Sequence, residues 1–304
     1  MRFPPPGRML DLGGRRLHIR SVPGAIGAPA IVFDAALGGS SLSWVFVERS
    51  LAGRWPLFLY DRAGLGWSDA SQGACTLPAL VEDLDTALQQ IHGPLLLVGH
   101  SFGALVVRYF AYLQPGRVAG LVLVDPPALE EWASPDPEHR ARLESGIRLA
   151  RRGVWAARCG LAQAVAWMVG TGAFRLAATS ASLVSGGRLR TKSDFNFAPA
   201  VKLPPEYKPV MRWFWSRARF YRALAVQMEA LPEAARLVAN LPPLTNLPLA
   251  VLSAADTPDS QAAEHARTAA QSSRGLHLTA RTSGHWIPLE EPELVVSAIQ
   301  SVLA

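Results

Sequence analysis

Short apolar runs alternate with longer segments of helical period over the first 127 residues. Ala30–Asp34, Pro56–Tyr60, Pro94–Val98 and Val118–Val124 are brief and almost wholly apolar, the pattern of strands buried on both faces. Between them, Leu77 to Ile91 carries apolar residues at helical spacing and sets Glu82, Asp83 and Asp85 on the wet side. A further helix is predicted over Ala104–Ala111. Ahead of these, Leu10–Arg20 reads as two short strands around Gly13-Gly14, an opening antiparallel hairpin in which His18 is an ordinary strand side chain. The alternation resumes late in the chain with strand Leu247–Ser253, helix Ser260–Gln271, strand Leu276–Thr279 and a last helix from Glu290 towards Val302. Strands alternating with helices predict a mostly parallel sheet covered on both faces.

From Ala128 to about Asn240 that rhythm stops. The stretch is helical in pattern and holds Trp132, Trp155, Trp167, Trp213 and Trp215, with a loop expected from Phe195 to Pro205. The chain thus divides into a core made of residues 1–127 and 241–304 and a helical insert, 128–240. A length of 304 residues with 49% apolar content suits one large core carrying a smaller module. The net charge of +6 belongs to the insert, which has 17 Lys and Arg against 9 Asp and Glu, whereas the remainder has 13 against 15. A solvated outer face accounts for this, with attraction of anionic substrates or an anionic membrane surface as the alternatives. Cys75 and Cys159 are the two cysteines; so few, so far apart, fit a reducing compartment and neither a disulfide scaffold nor a cysteine-rich zinc site. No apolar leader follows Met1 and no run of about 18 apolar residues is present. The expectation is a cytoplasmic protein without stable membrane insertion.

The chemistry centres on Gly99-His100-Ser101-Phe102-Gly103, which follows one apolar run and opens a helical stretch. A turn from strand to helix in so few residues forces a strained backbone at the serine, and flanking side chains would collide. It leaves Ser101 Oγ exposed above the sheet, with free helix N-terminal N–H groups behind it. A second long motif, Asp61-Arg62-Ala63-Gly64-Leu65-Gly66-Trp67-Ser68-Asp69, ends the run at Tyr60. Asp61 is expected to hold that loop through backbone hydrogen bonds and its Arg62 neighbour.

With these two motifs the chain resembles the α/β-hydrolases, over segments from about residue 9 to the C-terminus except the insert. The resemblance implies an α/β-hydrolase fold with a helical cap inserted after the strand that follows the elbow helix. It also implies an oxyanion hole of backbone N–H groups, assigned by position to Phe102 and Leu37. The usual His-Gly of that second loop is Ala35-Ala36 here; alanine resists positive φ, so the loop is expected to sit differently.

Acyl transfer through serine needs a base and a carboxylate to orient it. On this fold the chain order is Ser, acid, His. Ser101, Asp256 and His285 satisfy that order, each in a loop after a predicted strand. Asp125, which also ends a strand, and Asp259 are the other candidate acids. His100 adjoins the serine on a sharp turn and should point away from it. His277 is expected on a strand surface, His265 within a helix, and His92 and His139 in loops. No metal-ligand spacing and no phosphate-binding loop is present, so neither metal nor cofactor is expected. The expected activity is a carboxylesterase acting on a small-molecule ester-like substrate, neutral or anionic. A proline-iminopeptidase-like or C–C bond hydrolase is the enzymatic alternative, and a non-catalytic binding protein on the same fold the other. Nucleic-acid binding is not expected.

Overall fold

A computed structural model of the chain describes residues 3–71, 73–164 and 202–304. The strands are β1 (Arg8–Asp11), β2 (Arg16–Val22), β3 (Ala30–Asp34), β4 (Leu57–Tyr60), β5 (Leu95–His100), β6 (Val118–Val124), β7 (Leu249–Ser253) and β8 (Gly275–Thr279). They form one eight-stranded sheet in the order β1-β2-β4-β3-β5-β6-β7-β8. β2 pairs antiparallel with β1 and with β4, and the pairs from β4 to β8 are parallel. The opening hairpin turns where predicted, with Gly13 and Gly14 at φ of 75° and 100°, a conformation that favours glycine.

The apolar strands are buried on both faces, as their composition demands. Val32, Leu97, Leu121 and Val251 face α2 (Leu77–Leu88) and α3 (Phe102–Leu113), packing with Leu84 and Phe110. Their chain neighbours Ile31, Leu96, Val122 and Ala250 face the other way, towards Val47 of α1 (Val45–Leu51) and Ile299 near the C-terminus. The carboxyl ends of β5, β6, β7 and β8 therefore lie along one edge, where loops can converge.

Between β6 and β7 the described elements are helices: α4 (Leu129–Ala133), α5 (Pro137–Arg158), α6 (Lys208–Trp215) and α7 (Ala218–Ala239), with a short 3-10 turn at Pro205–Tyr207. The segment joins the core through an apolar cluster in which Met211 and Phe214 meet Leu42, Trp67 and Trp286. His139 belongs to α5 rather than to a loop and pairs with Glu131 and Asp136. Trp167 and residues 195–201 of the expected loop lie outside the described residues. Among the described residues no helix is long and apolar enough to cross a membrane. After β7 come α8 (Asp259–Ala269), α9 (Ile287–Glu290) and α10 (Pro292–Leu303). The expected last helix is α10, which starts at Pro292, a residue without an N–H that suits a first turn; the short α9 ahead of it is not expected from the sequence pattern.

His18 differs from its expected role. It is fully buried, with Nδ1 2.8 Å from Asp61 Oδ2 and Nε2 2.7 Å from the Pro6 carbonyl oxygen. Both ring nitrogens face acceptors, an arrangement that favours the doubly protonated imidazolium. Burial pushes its pKa down, but the hydrogen bond and charge of Asp61 outweigh this and hold it above the ordinary value. Asp61, despite its own burial, is held below the ordinary carboxylate value, chiefly by His18. Asp61 also accepts the N–H groups of Ser41 at 2.7 Å and Trp67 at 3.0 Å. The loop is held as predicted, with His18 in the place given to Arg62.

The raised pKa fixes a sign. Stabilisation by His18 is complete below its unfolded value near 6.5 and is lost as pH rises through the higher folded value. In urea unfolding at about pH 6, His18→Ala should cost about 3–5 kcal/mol, the cost of orphaning one member of a buried ion pair. The difference from wild type should shrink as the pH is raised above the ordinary histidine value. A pH-independent difference would contradict a buried imidazolium.

Candidate active site

β5 runs into α3 through Ser101, whose backbone sits at φ 54° and ψ −121°. The two glycines of the motif are required by close approach. A Cβ on Gly99 would lie 2.5 Å from the Gly103 carbonyl oxygen, and one on Gly103 would lie 2.5 Å from the Asp34 carbonyl oxygen. The serine N–H is tied to the Val124 carbonyl at 2.8 Å. The sharp turn is therefore built as the sequence predicts, and Ser101 lines an open cleft of about 590 Å³.

His285 lines the same cleft. Its Nδ1 lies 2.6 Å from Oδ2 of Asp125, which leaves Nε2 as the nitrogen for proton exchange. Asp125 closes β6 in a left-handed conformation, φ 42°, which is uncommon for a residue with a side chain. Its Oδ1 accepts the Ala254 N–H at 3.2 Å and the Thr257 hydroxyl at 3.0 Å. Burial raises its pKa, but the His285 hydrogen bond and charge and the Ala254 N–H prevail and keep it below the ordinary carboxylate value.

The carboxylate brought to His285 is thus Asp125 and not the expected Asp256. Asp256 is exposed. Its carboxylate lies 3.5 Å from where a Cβ on Gly284 would stand, and it has no hydrogen bond or ion pair among the described residues. The cause lies in the turn after β7, which lends Ala254 and Thr257 as donors to the neighbouring strand's Asp125. Asp259 begins α8 and is exposed as well.

The other histidines find partners elsewhere. His100 is fully buried, edge-on to Trp44 and Trp286, and its Nε2–H donates to the His285 carbonyl oxygen at 2.7 Å. Burial, with His285 beside it, pulls its pKa down to about 3. It is a neutral prop under the His285 backbone. His265 has Nδ1 2.8 Å from Ser253 Oγ and Nε2 2.8 Å from the Pro126 carbonyl. His277 is half-buried rather than on the surface, with Nε2 2.8 Å from the same hydroxyl.

Leu37 and Phe102 also line the cleft, and neither backbone N–H has an acceptor among the described residues. Ala35 and Ala36 avoid positive φ; Gly38 takes it instead, at 65°. The expected penalty of the alanines is therefore moved two residues along. Trp132 of α4, Leu231 of α7, Gln261, Asp256 and Glu290 complete the polar and apolar walls. Sequence reasoning missed Glu290 and Glu291. Glu290 accepts from the Ser283 hydroxyl at 3.0 Å and the Gly284 N–H at 3.1 Å. Glu291 accepts the N–H groups of Arg281, Thr282 and Ser283 at 3.0, 2.5 and 2.6 Å. Together they shape the loop that delivers His285.

One spectroscopic result follows from this pairing alone, whatever the activity. The Nδ1 proton of His285 should resonate far downfield in wild type and in Asp256→Asn, and lose that shift in Asp125→Asn. Loss in Asp256→Asn with retention in Asp125→Asn would reverse the assignment.

Residues 29–292 match the α/β-hydrolase fold family. The chain is 32% identical over 136 residues to the uncharacterized protein YqjL of Bacillus subtilis, a match covering 43% of this chain and 53% of that one. It therefore spans about half the length of that relative. A thermophilic esterase from Thermogutta terrifontis superposes with a TM-score of 0.64 at 21% identity, covering 97% of this chain and 96% of that one. The enol-lactonase from Burkholderia xenovorans gives 0.65 at 19% identity, covering 97% and 99%. The sheet order, the strained serine turn and the family match lead to one conclusion: the chain belongs to the α/β-hydrolase family.

Proposed function

We propose that this protein is a serine hydrolase that cleaves carboxylic esters through an acyl-enzyme. Ser101 Oγ attacks the ester carbonyl carbon while His285 Nε2 takes its proton. Asp125 keeps the Nδ1 proton in place and stabilises the imidazolium. The carbonyl oxygen becomes an oxyanion held by the N–H groups of Phe102 and Leu37. The C–O bond to the alcohol then breaks and His285 returns the proton to the leaving oxygen. Water, deprotonated by His285, attacks the acyl carbon and releases the acid, and Ser101 regains its proton.

The single observation that carries this reading is the 2.6 Å pairing of His285 with a buried carboxylate in the cleft that also holds the strained serine. The esterase and lactonase names among its structural neighbours agree with ester chemistry. Apolar walls from Leu37, Trp132 and Leu231 favour a small acyl or alkyl group. Among the described residues no Lys or Arg lines the cleft, whereas Asp256 and Glu290 do. This favours a neutral ester over the anionic one that the basic insert suggests. We assign residues 128–240 as the cap, since α4 and α7 supply Trp132 and Leu231 to the wall.

The Asp256 carboxylate in the wall, without a partner among the described residues, favours one second reading, recognition of a substrate ammonium as in an iminopeptidase-like hydrolase. Hydrolysis of proline p-nitroanilide in preference to p-nitrophenyl esters would select it.

A fluorophosphonate should label Ser101 in wild type and leave Ser101→Ala unmodified, read by peptide mass spectrometry. On p-nitrophenyl butyrate, Asp125→Asn should lower kcat by about 10⁴-fold, the usual cost of losing the orienting carboxylate. Asp256→Asn should keep kcat within about tenfold, a change of about 1.4 kcal/mol in the barrier. Hydrolysis undiminished in Ser101→Ala would overturn the reading.

A further inference from the structure

The Ala36–Leu37 peptide is the part of the oxyanion hole on which its geometry turns. In a trans peptide the carbonyl and the N–H point in opposite directions. Whatever grips the Ala36 carbonyl therefore aims the Leu37 N–H. Arg62 Nη2 donates to that carbonyl at 2.5 Å, and the Gly39 N–H donates to it at 2.9 Å. Arg62 Nη1 donates to the preceding carbonyl, Ala35, at 2.6 Å.

Arg62 is itself held. It is 4% exposed and pairs with the buried Asp34 carboxylate at the end of β3, which also accepts from the Tyr60 hydroxyl at 2.6 Å. Its guanidinium carbon lies 5.4 Å from the centroid of the Phe102 ring. Gln227 of α7 accepts from Nη2 at 3.3 Å. One planar, forked cation thus touches both segments that carry the unpartnered N–H groups, and the insert as well. Ala35 and Ala36 bring no polar side chain to this loop, so its shape rests on such backbone contacts.

We propose that Arg62 is the positioning residue of the oxyanion hole, aiming the Leu37 N–H by its grip on the Ala35 and Ala36 carbonyls and seating Phe102 beside it. This rests on the serine-hydrolase reading above. Arg62 does not touch the substrate; it acts through the peptide that does. A lysine keeps the charge and the pairing with Asp34, but a single ammonium does not reproduce the fork that spans two carbonyls. The effect belongs to the transition state, where negative charge develops on the carbonyl oxygen, and not to ground-state binding.

The test compares wild type with Arg62→Lys in thermal melting, ester kinetics, fluorophosphonate labelling and inhibition by a trifluoromethyl ketone, whose hemiketal oxyanion occupies the hole. The expected result is a melting temperature and KM near wild type with kcat lowered about 10- to 100-fold, somewhat less than loss of a whole oxyanion donor. The labelling rate and ketone affinity should fall by the same factor. Should the lysine variant not fold, Asp34→Asn leaves Arg62 in place but loosens its anchor, and the same split should appear at smaller size. A folded variant with wild-type kcat and ketone affinity would overturn the proposal. So would a loss of KM and kcat together that merely tracks a lower melting temperature. Absence of Ser101 labelling in wild type is a different failure, that of the serine-hydrolase reading, and it removes this proposal with it.

Discussion

The site depends on one hydrogen bond, from His285 Nδ1 to Asp125 at 2.6 Å. It joins the loop after β8 to the end of β6 across the sheet edge and fixes which ring nitrogen is free. Much of the surrounding structure serves it. The turn after β7 supplies two donors to Asp125, His100 supports the His285 carbonyl from below, and two glutamates shape the approach of the 281–285 loop. Each is a short-range polar contact in a poorly solvated place, where an unmade bond is expensive. The positive-φ backbone at Asp125 is held by the two donors after β7, and that at Ser101 by its own N–H bond to the Val124 carbonyl.

Beneath the neighbouring loops lie two buried ion pairs with separate duties. His18 and Asp61 tie the 61–69 loop to Ser41 and to the chain entering β1, since Asp61 accepts the Trp67 and Ser41 N–H groups and His18 reaches Pro6. Asp34 and Arg62 hold the loop after β3. Buried pairs contribute little net stability because desolvation offsets their attraction. What they contribute here is geometry: each fixes the direction of particular backbone groups, and those gripped by Arg62 lead directly to Leu37 in the cleft wall.

The sheet was legible in the sequence because its strands are short, apolar and separated by helical periods, and those features follow from burial on both faces. The serine turn was legible because close backbone approach admits only glycine at Gly99 and Gly103. The choice of carboxylate was not. Asp125 and Asp256 each follow a parallel strand at the same edge, and only the φ of 42° at Asp125 and the donors after β7 separate them. His18 was misread for a similar reason. Alternation along β2 says which face a residue takes, but not that a carboxylate from β4 waits there. Charged pairs formed across 43 positions of chain leave no local signal.

A crystal structure of the Ser101 adduct with a fluorophosphonate would read this geometry directly. The phosphoryl oxygen should lie within hydrogen-bond distance of both the Leu37 and Phe102 N–H groups, with the His285 ring still paired to Asp125. A ring paired to Asp256 instead, or a phosphoryl oxygen turned away from Leu37, would contradict it.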